Sequence, residues 1–141
     1  MPELNRERFS YSLVGPEDAP RRPRPILSLT LIVPERRISF PALVDSGADI
    51  NVIPHSLGLA LGLSWADSRV GPTLTGKFAN IETRLVVLTA LVGNFPTVDL
   101  VFTWMAQDTG PVILGQMNFF REFNVCFFGA ENVFELERVT S

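Results

Sequence analysis

The sequence predicts a mostly β domain: a closed or partly closed barrel of short strands with one or two short helices. Three observations predict it. Short apolar runs rich in Val, Ile, Leu and Phe recur along the chain, most of them strand-length. Turn signals such as Gly71-Pro72 and Gly93-Asn94 stand between them. The 141 residues amount to about one domain, enough to bury a core without a disulfide or metal staple.

Taken in order, residues 1–25 are rich in Pro and Arg, end in Arg21-Arg22-Pro23-Arg24-Pro25, and are expected to be a solvated leader. Phe9, Tyr11 and Leu13 alternate within it, the mark of a short strand able to dock on the body. The main domain is expected at 26–141. Residues 26–33 place Leu27, Leu29, Leu31 and Val33 on one strand face. A turn at 34–37 returns the chain as a second strand, 38–44, in which Pro41 indicates an edge or a bulge. After 45–49 comes a short apolar piece, 50–53, then a brief helix over 54–63 weakened by Gly58 and Gly62. Residues 71–78 carry the punctuation of a long hairpin. Strands follow at 85–92 and 95–103, a polar loop at 105–110, and a short strand from Pro111 to Leu114. One or two helical turns are expected at 117–123, and a last hairpin from 124–128 and 133–138.

Scarcity narrows the chemistry. The chain has one His (His55), one Cys (Cys126) and one Lys (Lys77) against eleven Arg. A structural zinc site takes about four Cys or His ligands, so no metal is expected, and no cofactor motif such as a glycine-rich nucleotide loop is present. No intrachain disulfide can form, which fits a reducing, cytoplasmic compartment. A formal net charge of −3 argues against nucleic acid as a partner. No secretory signal is read at the N-terminus, and no apolar run approaches the roughly 20 residues of a membrane-spanning helix. An enzyme built from these residues is expected to work with carboxylates.

The stretch that carries chemistry is Phe40-Pro41-Ala42-Leu43-Val44-Asp45-Ser46-Gly47-Ala48-Asp49-Ile50. An apolar strand delivers an Asp into a tight turn made with a small hydroxyl residue and a Gly. Far downstream stands a second element, Val112-Ile113-Leu114-Gly115. With Ile53-Pro54, the short helix at 118–123 and the closing hairpin from Val125 to Leu136, these motifs resemble the retropepsin-like aspartic proteases. The likeness is greatest to small bacterial members and to retroviral and retrotransposon proteases, and it spans about residues 26–138.

The resemblance implies a barrel of the retropepsin, or acid-protease, type and assigns roles. Asp45 would be the catalytic carboxylate, and Ser46 would hydrogen-bond across a dyad. Gly47, Ala48 and Asp49 would present main chain to an extended polypeptide substrate. The segment 73–78, with Thr75, Gly76, Lys77 and Phe78, would be the flap. Ile113, Leu114 and Gly115 would pack beneath the motif turn. Only one Asp-Ser-Gly exists; Asp108-Thr109-Gly110 follows a polar stretch and reads as a loop turn. The second carboxylate of the dyad would therefore come from a homodimer partner. The alternative is an inactive peptide-binding or dimerisation module of the same fold. Two departures stand out: Gln116 where retroviral members often carry an Arg paired with the Asp equivalent to Asp49, and a flap without a dense glycine cluster. His55 is expected at the surface or capping a helix, and Cys126 in the core.

Overall fold

The computed structural model describes residues 5–15 and 20–139; of the 1–25 leader, positions 1–4 and 16–19 lie outside the described residues. Three short strands come first: β1 (Arg6–Ser10), β2 (Ser12–Val14) and β3 (Arg22–Arg24). The main sheet comprises β4 (Ile26–Val33), β5 (Arg36–Val44), β6 (Asn51–Ile53), β7 (Arg69–Val70), β8 (Thr83–Val92), β9 (Val98–Met105) and β10 (Val112–Leu114). Helix α1 (His55–Ala60) follows β6, and α2 (Phe119–Glu122) leads into the closing hairpin of β11 (Phe123–Phe128) and β12 (Val133–Arg138).

Strands β4, β5, β10, β6, β9 and β8 pair in that order, and β8 returns to β4, so six strands close into a barrel with β7 attached to β8. Leu27, Leu29 and Leu31 of β4 all point into it and are fully buried, as the period-two pattern predicts. From β5, Ala42 and Val44 join them; from β9, Leu100, Phe102 and Trp104. Pro41 is accommodated because β10 pairs with β5 only from Ala42 onward, leaving that side of Pro41 without a ladder partner. A separate three-stranded sheet, β1-β12-β11, covers one end of the core. There Phe9 stacks on Phe134 with ring centroids 5.3 Å apart, and Phe119 stacks on Phe123 at 5.0 Å.

Several expectations need correcting. Helix α1 stops at Ala60 rather than running to residue 63, and Gly62 takes a left-handed φ of +82° just beyond it. Strand β9 continues through Met105, which the sequence assigns to a loop; pairing with Thr83 and burial of the side chain carry the strand on. His55 is no surface cap. Its ring stacks on Trp104 at 5.7 Å and meets the edge of Trp65 at 5.3 Å, while Nδ1 lies 3.2 Å from the Met105 carbonyl. Cys126 is exposed, not buried. The run Val125-Cys126-Phe127-Phe128 is apolar on both faces, but this sheet has a core on one side only. Cys126 falls on the other, beside Glu135, among the ion pairs Arg8–Glu135 (2.7 Å) and Arg6–Glu137 (3.0 Å).

Candidate active site

Strand β5 ends with Val44 in the core, and the next residue turns outward. The Asp45 N–H donates to the Leu114 carbonyl at 2.9 Å, so the turn begins fastened to β10. The carboxylate then closes its own turn: Gly47 N–H donates to Asp45 Oδ1 at 2.9 Å, and Ala48 N–H to the Asp45 carbonyl at 3.1 Å. Asp side chains favour this local bond, which is why an Asp ends the strand cleanly. Asp45 is half-buried; Ser46, Gly47 and Asp49 are exposed.

The residues after β10 clasp this turn from the other side. Gln116 N–H donates to the Ala48 carbonyl and Met117 N–H to that of Asp49, both at 2.9 Å. The Gln116 side chain reaches the Ser46 carbonyl through Nε2, also at 2.9 Å. Gly115 is required by contact: a Cβ there would strike the Ile50 carbonyl and lie 2.7 Å from that of Ala48. The structure thus brings the turn of Asp45, Ser46, Gly47, Ala48 and Asp49 against Leu114 and Gly115, while Ile113 pairs with Leu43 and Val52 beside it.

Beneath the clasp lies a support that the sequence reading does not single out. Asn51 is completely buried. Its Oδ1 accepts from Gly115 N–H at 2.8 Å, and its Nδ2 donates to the Val101 carbonyl at 3.0 Å and to Asn118 Oδ1 at 3.1 Å. Asn118 Oδ1 also accepts from Val101 N–H at 2.9 Å. Two amides therefore join β6, β9 and the end of β10, with their polar atoms satisfied. The signal was an Asn inside the apolar run Ile50-Asn51-Val52-Ile53, since a buried amide there must have partners.

The other Asp-Thr-Gly is engaged elsewhere. Asp108 Oδ1 accepts from Ser56 N–H at 2.8 Å at the start of α1, and this bond holds its carboxyl below the ordinary Asp value. Residues 71–82 form a long loop between β7 and β8. Gly71 N–H donates to the Thr83 carbonyl at 3.1 Å and Thr83 Oγ1 to that of Pro72 at 2.7 Å. Gly76–Phe78 make a 3-10 turn in which Gly76 has φ +68° and Lys77 Nζ sits 5.0 Å from the Phe78 ring centroid. Thr75, Gly76 and Lys77 are exposed and Phe78 is half-buried. Among the described residues no hydrogen bond joins 75–78 to the 45–49 turn. A groove of about 450 Å³ opens at the base of the loop between Val70, Thr73, Ile81 and Arg84. Among the described residues no helix is long and apolar enough to cross a membrane, and no group of three His, Cys, Asp or Glu is placed to hold a metal ion.

Solved structures share this architecture. A retropepsin-like aspartic protease from Rickettsia conorii superposes with a TM-score of 0.63 at 12% identity, over 96% of this chain and 93% of that one. The fold is retropepsin-like. The retroviral protease-like domain of Ddi1 from Leishmania major gives a TM-score of 0.58 at 14% identity, covering 82% of this chain and 95% of that one. The EIAV protease, complexed with the inhibitor HBY-793, gives 0.53 at 20% identity, over 66% and 82% respectively. No protein-family model and no curated protein sequence matches the chain. At these identities the likeness establishes the retropepsin-like fold.

Proposed function

We propose that this chain is an aspartic endopeptidase acting as a homodimer, with one Asp45 from each copy at a shared dyad. The observation that carries the reading is the state of Asp45. Its carboxylate accepts from Gly47 N–H and its backbone N–H is held by β10, yet it stands on a turn of mostly exposed residues to which the half-exposed Met117 is also bonded. Among the described residues no hydrogen bond brings a second carboxylate to that of Asp45: Asp49, the other acid of the turn, is exposed, and Asp108 is held by α1. A two-fold axis near the rim supplies the missing carboxylate from an identical turn.

Two carboxyl groups about 3 Å apart share one proton, because both cannot ionise side by side. The ionised Asp45 takes a proton from water as its oxygen bonds to the scissile carbonyl carbon. The protonated Asp45 gives its proton to the carbonyl oxygen. Proton transfer to the amide nitrogen then lets the C–N bond break, leaving an acid, an amine and the dyad again singly protonated. In this reading Ser46 spans the dyad, and Gly47, Ala48 and Asp49 pair with the backbone of an extended polypeptide. Loop 71–82 serves as the flap, placing Thr75, Gly76, Lys77 and Phe78 over the substrate to exclude water. Residues 26–141 form the protease domain.

An endopeptidase assay on a broad peptide library from about pH 4 to 7 tests this. Asp45→Asn is expected to lower kcat/KM at least about a thousandfold. Equal activity in the two proteins, or none in either, would overturn the enzyme. A chain that sediments as a monomer at micromolar concentration while cleaving peptides would overturn the shared dyad.

A further inference from the structure

The leader contributes a hairpin that the retropepsin-like roles leave unused. Strands β2 and β3 pair antiparallel, Leu13 opposite Pro23 and Val14 opposite Arg22. The chain leaving β3 is fastened beside the motif, since the Pro25 carbonyl accepts from Val44 N–H at 3.0 Å. Leu13 and Val14 are 62% and 45% exposed, high values for apolar residues in a strand. They form one wall of an open groove of about 440 Å³ whose other wall is Ile26, Pro41, Leu43 and Pro111. That volume lies within the range of small ligand pockets, roughly 300–1,000 Å³.

The position of the groove follows from strand alternation. Ala42 and Val44 face the core, so Pro41 and Leu43 lie on the opposite face of β5, and Asp45 follows as the first residue beyond the strand. Leu43 lies two residues from Asp45, about 6–7 Å along the strand. This is also the distance between alternate side chains of an extended peptide. Pro111 immediately precedes β10, the strand whose Leu114 carbonyl holds the Asp45 N–H. The groove therefore reaches, through Leu43 and Pro111, the two strands that lead into the candidate catalytic turn, and apart from Ser12 and Gly15 its lining side chains are apolar.

We propose that hairpin β2–β3 is a specificity wall of the cleft: Leu13 and Val14, with Leu43 and Pro111, receive a bulky apolar side chain of the polypeptide close to the cut bond. The inference rests on the endopeptidase reading and goes beyond it by giving strands β2 and β3 a part in substrate choice. Removing part of an apolar wall weakens selection for large side chains more than binding of small ones, on a scale of roughly tenfold.

The test compares paired peptides that differ only in Phe or Ala at each position flanking the scissile bond. Wild type, Leu13→Ser and, as a control, Val87→Ser are assayed; Val87 is 62% exposed on β8. Leu13→Ser is expected to reduce the Phe-to-Ala ratio of kcat/KM by about tenfold at one position, with Val87→Ser leaving the ratio as in wild type. Thermal unfolding of Leu13→Ser close to wild type confirms that the fold is retained. Wild-type cleavage with an unchanged ratio in Leu13→Ser would overturn the wall while leaving the protease intact. If wild type cleaves nothing, fluorescence anisotropy with labelled Phe and Ala peptides decides separately. Tighter binding of the Phe peptide, lost in Leu13→Ser, supports the wall, and equal binding by both proteins overturns it.

Discussion

Residues 45, 46, 48 and 49 each bond to β10 or to Gln116 and Met117 just beyond it, and Gly47 closes on Asp45 itself. Residues 71–82, by contrast, are fastened to the barrel at their base, through Gly71, Pro72 and Glu82, while the tip around Gly76 bonds only within its own turn. A Cβ added at Gly76 would meet nothing within 4 Å, whereas one at Gly115 would meet carbonyl oxygens. The comparison separates two requirements of a peptidase. The carboxylate must be held in one geometry through the reaction, and the cover must open and close around a long chain. Hydrogen bonds are distributed in keeping with the proposed function, dense at the 45–49 turn and sparse at the loop tip.

The strongest way to break the contrast is to remove the amide under the clasp. Asn51→Ala leaves Gly115 N–H without its acceptor in a dry site and opens a small cavity. It is expected to cost about 3 kcal/mol in denaturant unfolding, and activity should fall with it. A loss below about 1 kcal/mol would mean that the 45–49 turn is not supported from beneath. Gln116→Ala removes one partly exposed bond to the turn and is expected to cost about 1 kcal/mol, with kcat falling more than KM rises. The smallest effect on stability belongs to the loop. Gly76→Ala puts a Cβ on a left-handed residue, so it strains the tip by about 1 kcal/mol. Because the tip is held apart from the barrel, global unfolding should move by less than about 0.5 kcal/mol while KM rises two- to threefold. A large drop in Tm for Gly76→Ala would show that the loop is part of the cooperative core.

Much of this division is legible in the sequence. Asp45-Ser46-Gly47 after an apolar strand and Ile113-Leu114-Gly115 downstream give the two halves of the turn, because both are short-range patterns with fixed local geometry. The barrel follows from alternation in residues such as Leu27, Leu29 and Leu31, whose burial is as the period requires. What is not legible depends on partners distant in the chain. Asn51 meets Asn118 across 67 positions, and His55 meets Met105 across 50. Cys126 shows the same limit in another form. Its neighbours are apolar, and only the pairing with β12 decides which of them face the core. Leu13 continues the alternation of Phe9 and Tyr11 in sequence but not in burial, because the chain passes there from β1 in the end sheet to β2, which pairs with β3 instead.

The Gln116 side chain has a further consequence. A clasp built from an arginine and a carboxylate loosens as acid protonates the carboxylate. Gln116 instead joins an uncharged amide to the Ser46 carbonyl, and neither group gains or loses a proton between acid and neutral pH. In the proposed homodimer the dyad therefore passes through its protonation steps while this bond to its turn stays constant. On that reading, acid acts on the shared proton without also undoing the Gln116–Ser46 link in the turn.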